Sequence, residues 1–446
     1  MPTVREDVQY DPSNAEDILR FAKELKGKTL GEWIIDHEND RPPVNRKGRF
    51  GQILEDVVFG IPNNSKKAPD LEDVGIEIKS TPIKIEGKKK VPKERIVLSM
   101  INYMTLLEEG WDMSFFKKNG KLLIIFYLYE KRKRISEYKI LDAILWEYPE
   151  EDLRIIRDDW NVIARMVKEG RAHEISERHT MYLAACRKGI SNDKDSQRQP
   201  YSDEKALRRA FSLKQSYVGQ IWKSADSESI VRCANMNKTF EEEVLDRFTP
   251  YVGRSTDEIE AMLGITFEKN PKSRYAILAN KMLGVKTKNI AEFEKADVYM
   301  KTIRLKADGV PKESMSFPSF DYTEIVRQKW EDSDFYNQLN RRFLFVIYRA
   351  DGDGLRFENA MFWSMPQEDL QEAERVWKKA VQSFKESRFT ERPKMTESKV
   401  SHVRPHGQSG KDRVMANDGS MQKKMCFWLN AKYLAEQIKT CGQRKI

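Results

Sequence analysis

Residues 148–160 read YPEEDLRIIRDDW, and residues 365–377 read MPQEDLQEAERVW. Proline, Glu-Asp-Leu, an arginine-bearing stretch and a tryptophan return at a constant offset of 217 residues. Other blocks keep the same order. KLLIIFYLYEK (121–131) is matched by RRFLFVIYRAD (341–351), and AFSLKQSYV (210–218) by CFWLNAKYL (426–434). GIEIKSTPIKI through VPKERIVLSM (75–100) is echoed by VYMKTIRLKADGVPKESMSF (298–317), and RFGQILEDVVFG (49–60) by RYAILANKMLG (274–284). Ordered self-similarity of this kind is the mark of a duplicated fold. A chain of 446 residues is also too long for one compact core. We therefore expect two tandem copies of one fold, spanning 1–222 and 241–446. Between them, 223–240 carries the polar, weakly patterned KSADSESIVRCANMNK and reads as a linker.

Each copy has the same coarse pattern. An apolar-periodic helix comes first, in NAEDILRFAKELKGKTLGEWI, with Leu19, Ala22 and Leu25 at helical spacing. A second helix follows around Ile53 to Phe59. Strands rich in Ile, Val, Leu and Tyr come next, in VGIEIKS, RIVLSMINY and KLLIIFYLY. A long helix then begins near Asp152 and stops at Gly170. The expected class is α/β: a mixed central sheet flanked by helices, twice over.

Composition narrows the partners. Charged residues make up 33% of the chain, and no apolar run is long enough to span a bilayer. The N-terminus MPTVREDVQYDPSNAED has no apolar core of a secretory signal. Cys186, Cys233, Cys426 and Cys441 show no C-x-x-C spacing, so neither a zinc site nor a disulfide framework is indicated. The cytoplasm fits. A net charge of +9 and a pI near 9 favour a polyanionic partner.

The chemistry gathers in PDLEDVGIEIKS (69–80). With a strand period of two, Val74, Ile76 and Ile78 face one way, and Gly75, Glu77 and Lys79 the other. Asp70, just upstream, can fold back beside Glu77. Neighbouring carboxylates repel, and a divalent cation removes that cost. Hard oxygen ligands select Mg²⁺. A lysine beside the metal can orient a water and stabilise charge on a phosphate. Glu55, on the preceding helix, is a further carboxylate for the same place. The plain alternative is a solvated strand face with an ion pair.

Pro-Asp, six residues, then Glu-x-Lys is the signature of the PD-(D/E)xK nuclease superfamily. Its neighbours sharpen it. ILRFAKELKGKTLGE, GRFGQILEDVVFG, PDLEDVGIEIKSTPIK, RDDWNVIARMVKEGRAHEISERHTMYL and FSLK, in that order, resemble the MutH family over roughly 15–220. The family holds a single-copy nicking endonuclease of mismatch repair and larger restriction endonucleases. The second, weaker copy points to the larger branch. The resemblance implies that Asp70 and Glu77 hold Mg²⁺ with Glu55 assisting, and that Lys79 positions the attacking water. It also implies a lysine near the start of the next long strand; Lys118 is the nearest match, with Lys117 and Lys121 competing. It further implies cleavage of both strands of double-stranded DNA at 5′-GATC-3′, sensitive to base methylation.

In the second copy, Lys301 aligns with Lys79, but Tyr299 stands in place of Glu77. Asn280 falls near Glu55, and Glu292 near Asp70. This copy is expected to bind a second DNA site and not to cut. Its basic block SHVRPHGQSGKDR offers Arg404 and Lys411. In the first copy, residues 186–217 are rich in Arg and Lys, which suit guanine edges. There Arg187, Lys188, Ser212 and Lys214 are the candidate DNA contacts, Lys188 and Ser212 to Lys214 being best placed by resemblance. Other motifs are decoys. GKT at 27–29 lacks the glycine of a phosphate loop. His402 and His406 flank Pro405 and are not a helical metal pair. ADGDG (350–354) is a turn. The expected enzyme is a monomer in solution, able to pair on DNA. The competing readings are a two-site DNA-bridging protein without chemistry, and a nickase.

Overall fold

A computed structural model describes residues 4–5, 8–34, 49–62, 67–87, 89–130, 133–189, 195–223, 239–267, 273–284, 291–352, 354–407 and 412–442. The expected linker over 223–240 lies outside the described residues, apart from Lys223, Thr239 and Phe240. The chain forms two compact units, one of Met1–Cys233 with Ala291–Asp297, the other of Ala234–Ile290 with Val298–Ile446.

In the first unit the strands are β1 (Ile76–Glu86), β2 (Lys89–Pro92), β3 (Ile96–Met100), β4 (Lys121–Leu128), β5 (Ile140–Glu147), β6 (Leu183–Arg187), β7 (Ser196–Gln199), β8 (Ser202–Leu207) and β9 (Arg209–Leu213). They build a sheet of order β2-β1-β4-β5, a sheet of order β3-β9-β6, and a β7-β8 hairpin. β1 and β4 run parallel and β4 and β5 antiparallel. β4 is apolar without alternation because both of its faces are covered: Leu122 to Phe126 are all buried. One face of this sheet, through Ile76, Ile78, Leu123 and Ile125, packs on Ile18, Phe21, Ala22 and Leu25 and on Phe50, Leu54 and Val58. Leu19, expected on the buried stripe of the first helix, is only half-buried at its rim; the stripe is centred on Ile18 and Phe21. Val74 likewise falls in a short 3₁₀ turn and not in the strand.

The long helix of the first unit runs Glu150–Lys168, entered through Pro149, with Gly170 in the left-handed region just beyond its end. Its first turn carries a buried acid. Asp152 accepts a hydrogen bond from the Tyr217 hydroxyl (2.9 Å) and an ion pair from Lys295 Nζ (2.8 Å). Lys295 lies on the short helix Ala291–Ala296, which belongs to the first unit. It is held there by Ser216 Oγ donating to the Lys295 carbonyl (2.8 Å) and by Gln220 donating to Glu294 (2.7 Å).

In the second unit the strands are β10 (Val298–Leu305), β11 (Met315–Ser319), β12 (Arg342–Asp351), β13 (Gly354–Trp363), β14 (Ser401–Pro405), β15 (Arg413–Met415), β16 (Met421–Lys423) and β17 (Met425–Leu429). The sheet orders are β10-β12-β13, β11-β17-β14 and β15-β16. β10 and β12 are parallel, and β12 and β13 form an antiparallel hairpin across the 350–354 stretch, of which residue 353 is outside the described set. The long helix here runs Gln367–Lys385, 19 residues like Glu150–Lys168. Its apolar face, with Val376, Trp377, Ala380 and Phe384, joins Phe345, Ile347, Trp363 and Phe427 in the core of this unit. No helix among the described residues is long and apolar enough to cross a membrane.

Candidate active site

Asp70 and Glu77 are seven residues apart, and a tight turn brings them together. The 3₁₀ turn Glu72–Val74 is closed by Gly75 at φ 68°, a left-handed conformation that suits glycine. Leu71 and Ile76 then exchange backbone hydrogen bonds in both directions (2.9 and 3.1 Å). Asp70 is thereby laid against the start of β1. Its backbone N–H donates to Glu77 Oε2 (3.2 Å), and the Ile78 N–H donates to Asp70 Oδ2 (2.9 Å). Glu77 lies on the opposite face from Ile76 and Ile78, yet it is only 2% exposed.

Glu55 arrives from another element. The helix Arg49–Ile53 widens into a π turn over Leu54–Val58. Gly51 lets it pass close to β1, since a Cβ there would lie 3.3 Å from Ser80 Oγ. Burial first, and the Asp70 carboxylate second, push the Glu55 carboxyl up to about 7, against the pull of Lys79. Burial also raises the Glu77 carboxyl, with Lys79 opposing and Asp70 adding to the rise.

Two ammonium groups answer these acids. Lys79 Nζ is 2.5 Å from Glu77 Oε1 and 3.1 Å from the Ile78 carbonyl oxygen. Burial alone would depress its pKa, but Glu77 and Asp70 together hold it above the ordinary lysine value. Lys118 Nζ stands 3.5 Å from Glu77 Oε1. Of its two competitors, Lys117 is exposed and Lys121 pairs with Glu147 at 2.7 Å. The turn that carries Lys118 is pinned by buried Asn119, whose amide donates to the Phe115 carbonyl (2.9 Å) and Ser99 Oγ (3.0 Å). Three carboxylates and two lysines thus form one electrostatically coupled cluster of low solvent access. Among the described residues no three Asp, Glu, His or Cys side chains already stand at metal-ligand spacing. The donors on offer are Asp70, Glu77 and the Ile78 carbonyl, with Glu55 behind them. This all-oxygen set suits a hard cation that keeps its own waters.

Comparison with known proteins gives this cluster a context. The family model for the DNA mismatch repair enzyme MutH matches residues 59–159 and again 283–374. The chain is 32% identical to the type II restriction enzyme Sau3AI of Staphylococcus aureus, over 94% of this chain and 96% of that one. The chain belongs to the MutH/Sau3AI family. It is a site-specific deoxyribonuclease and a type II restriction endonuclease. The DNA mismatch repair proteins MutH of Vibrio campbellii and Vibrio parahaemolyticus are 26% and 27% identical over 47% of this chain, which spans 94% of each.

In the second unit of this nuclease the matching place is different. Tyr299 pairs with Phe343 as Glu77 pairs with Leu122, each the second residue of a parallel ladder. Lys301 Nζ sits 4.9 Å from the Tyr299 ring. Burial pulls its pKa down, where carboxylates hold that of Lys79 up.

Of the candidate DNA contacts, Arg187 is exposed at the end of β6 and Lys188 is half-buried beyond it. Ser212 corrects the expectation. It is 0% exposed, its hydroxyl donating to the Ala184 carbonyl (3.3 Å) inside the sheet, and cannot meet a base there. Lys214 is likewise turned inward, with Nζ donating to the Thr180 carbonyl (2.5 Å). Arg404 is exposed on β14, and Lys411 lies outside the described residues. His402 is buried against Asn430, and neither it nor His406 is on a helix.

One residue of consequence escaped the sequence reading. Asp159, on the long helix, accepts three successive backbone N–H groups: Met181 (2.6 Å), Tyr182 (2.7 Å) and Leu183 (2.8 Å). It fixes the entry to β6, whose far end presents Arg187. Burial pushes its carboxyl up to about 7 against these donors and Lys214. The signal was available: Asp152 and Asp159 are charges seven apart on the same helical face as Ile155, Ile156, Trp160 and Ile163.

Proposed function

We propose that the enzyme is an Mg²⁺-dependent, cytoplasmic restriction endonuclease that cuts both strands of DNA at 5′-GATC-3′, with catalysis in residues 1–222 and an effector DNA site in 241–446. The observation that carries this reading is the buried Asp70–Glu77–Lys79 cluster, found once among the described residues, with Tyr299–Lys301 at the matching strand positions of the second unit. The common sheet orders, and the two separate matches to one family model, support two copies of one fold. Similarity over nearly the full length of a restriction enzyme, against half of this chain for MutH, favours double-strand cleavage over nicking. The GATC target rests on the family resemblance alone.

In this reading Asp70, Glu77 and the Ile78 carbonyl hold Mg²⁺, which when bound lowers the pKa of a water and neutralises charge on the scissile phosphate. The chain's own groups do the rest. Lys79 Nζ donates to the attacking water and orients it. Lys118 supplies positive charge toward the developing phosphate charge. Glu55 receives a proton more readily than an ordinary carboxylate, because burial and Asp70 raise its affinity.

Unmethylated plasmid incubated with Mg²⁺ is expected to give discrete linear fragments ending at GATC, and EDTA to abolish them. Relaxed circles alone would establish nicking, and binding without breaks would establish a bridging protein. A plasmid with two sites is expected to be cut faster than one with a single site. Equal rates on the two plasmids would leave the second unit a packing role only.

A further inference from the structure

The two units carry the same three-stranded sheet, but one face of it is chemically different. In the first unit, Ala184 faces Ser212 and Cys186 faces Ala210 across β6 and β9. In the second, His402 faces Trp428 and Arg404 faces Cys426 across β14 and β17. The opposite face of that pair, through Val403, Phe427 and Leu429, lies in the core. His402, Arg404 and Trp428 therefore project together away from it.

We propose that Arg404 is the base-reading cation of the second unit, taking the O6/N7 edge of a guanine in duplex DNA, with Trp428 as its platform. This rests on the reading of that unit as a DNA-binding effector. The Arg404 guanidinium lies 3.7 Å from the centroid of the Trp428 ring, and the residue is exposed. Among the described residues no carboxylate forms an ion pair with it. Stacking occupies a face of the guanidinium and leaves its N–H edge to coplanar acceptors, a geometry lysine cannot reproduce.

The platform is fixed from beneath. Asn430 Nδ2 donates to the Ser398 (2.7 Å) and Lys399 (3.0 Å) carbonyls, so its Oδ1 accepts from His402 Nδ1 at 2.5 Å. Burial, with Arg404 adding to it, lowers the His402 pKa against this hydrogen bond, and the imidazole lies nearly parallel to the indole, with ring centroids 6.4 Å apart. His406 stands edge-on to the same indole at 5.5 Å. Its backbone N–H donates to the Lys424 carbonyl (2.9 Å), tying it to the strand that follows. A cation set before binding loses less freedom on binding. Exposed Arg413, Lys423 and Lys424, on and beside the β15-β16 hairpin, supply charge for the phosphates around that base. Bidentate arginine to guanine is the commonest specific contact in the major groove.

The test uses the full chain, a one-site plasmid as substrate, and a short GATC duplex added as effector, with guanine or with 7-deazaguanine, which lacks N7. The readout is the ratio of cleavage rates with and without effector. For the wild type, 7-deazaguanine should lower the stimulation about tenfold. Arg404→Lys and Trp428→Leu should respond equally weakly to both duplexes, and Trp428→Tyr, which keeps a stacking ring, should retain the discrimination. If Arg404→Lys still distinguishes the duplexes while responding less to each, Arg404 contacts phosphate and the assignment fails, with the effector reading intact. The assignment also fails if the variants match the wild type. If neither duplex stimulates the wild type, the effector reading falls and takes the assignment with it.

Discussion

Lys79→Ala is expected to lower the single-turnover rate of DNA cleavage by about 10²–10³, the scale set by removing one preorganised charge-stabilising donor, while DNA binding changes only a few-fold. The effect follows from where the ammonium is held. It is 2.5 Å from Glu77 Oε1 and 3.1 Å from the Ile78 carbonyl, among the atoms expected to carry the metal and its waters. Removing it does not leave Glu77 wholly unopposed, because Lys118 remains 3.5 Å away. The site should therefore keep its shape and lose its water-orienting donor. Lys301→Ala makes the control in the same chain. Lys301 lies beside the Tyr299 ring, which Arg341 also approaches, and among the described residues it has no counterpart of Glu77, so its loss should leave the chemical step within about twofold. Single-turnover quench experiments on a one-site duplex separate the two. An equal loss from both substitutions would move the chemistry away from β1.

Some of this was legible in the chain and some was not, for physical reasons. The repeated Pro and Glu-Asp-Leu put both long helices in place, because capping and amphipathic period are local properties. The period of two in β1 put Glu77 and Lys79 on one face for the same reason. Position along a strand does not reveal what covers that face, and this is where Ser212 misled. It alternates correctly in β9, but the face it lies on is enclosed. Glu55 could be named but not oriented, because its approach depends on a π turn and on the close passage of Gly51 by Ser80. The turn before β1 was half legible: Gly75 announces a left-handed residue, but the exchange between Leu71 and Ile76 that swings Asp70 onto Glu77 forms only in the folded chain. Asp159 and Lys295 belong to the same class. Their partners are 22 and 143 residues away, beyond any local pattern.

The second large effect concerns stability. Asp152→Ala should cost the first unit about 3–5 kcal/mol, since removing one partner of a buried ion pair strands the other. Asp152 is only 2% exposed. Its loss leaves the Lys295 ammonium and the Tyr217 hydroxyl without the acceptor that serves both. The second unit contains a natural comparison. Asp369 occupies the same turn of its helix and accepts the Tyr433 hydroxyl (2.8 Å), but its other partner is the neutral Gln437 (3.4 Å). Asp369→Ala should thus cost less, about 1.5–3 kcal/mol, the scale of a hydrogen bond to a charged group. Lys295→Met combined with Asp152→Ala removes the stranded charge and should recover part of the loss, since a buried pair replaced by apolar groups is often tolerated. Denaturant unfolding of the full chain, with each unit's transition followed by protease cleavage, measures all three. If the double variant is no more stable than Asp152→Ala, the charge of Lys295 contributes nothing. The hydroxyl of Tyr217 would then account for the whole effect. If Lys295 is confirmed, the consequence reaches beyond one ion pair. Lys295 lies three residues before β10, where the chain passes from the first unit into the second. The short helix that leads into β10 is then anchored by a carboxylate on the long helix of its own unit, and that helix also carries Asp159, which sets the entry to β6.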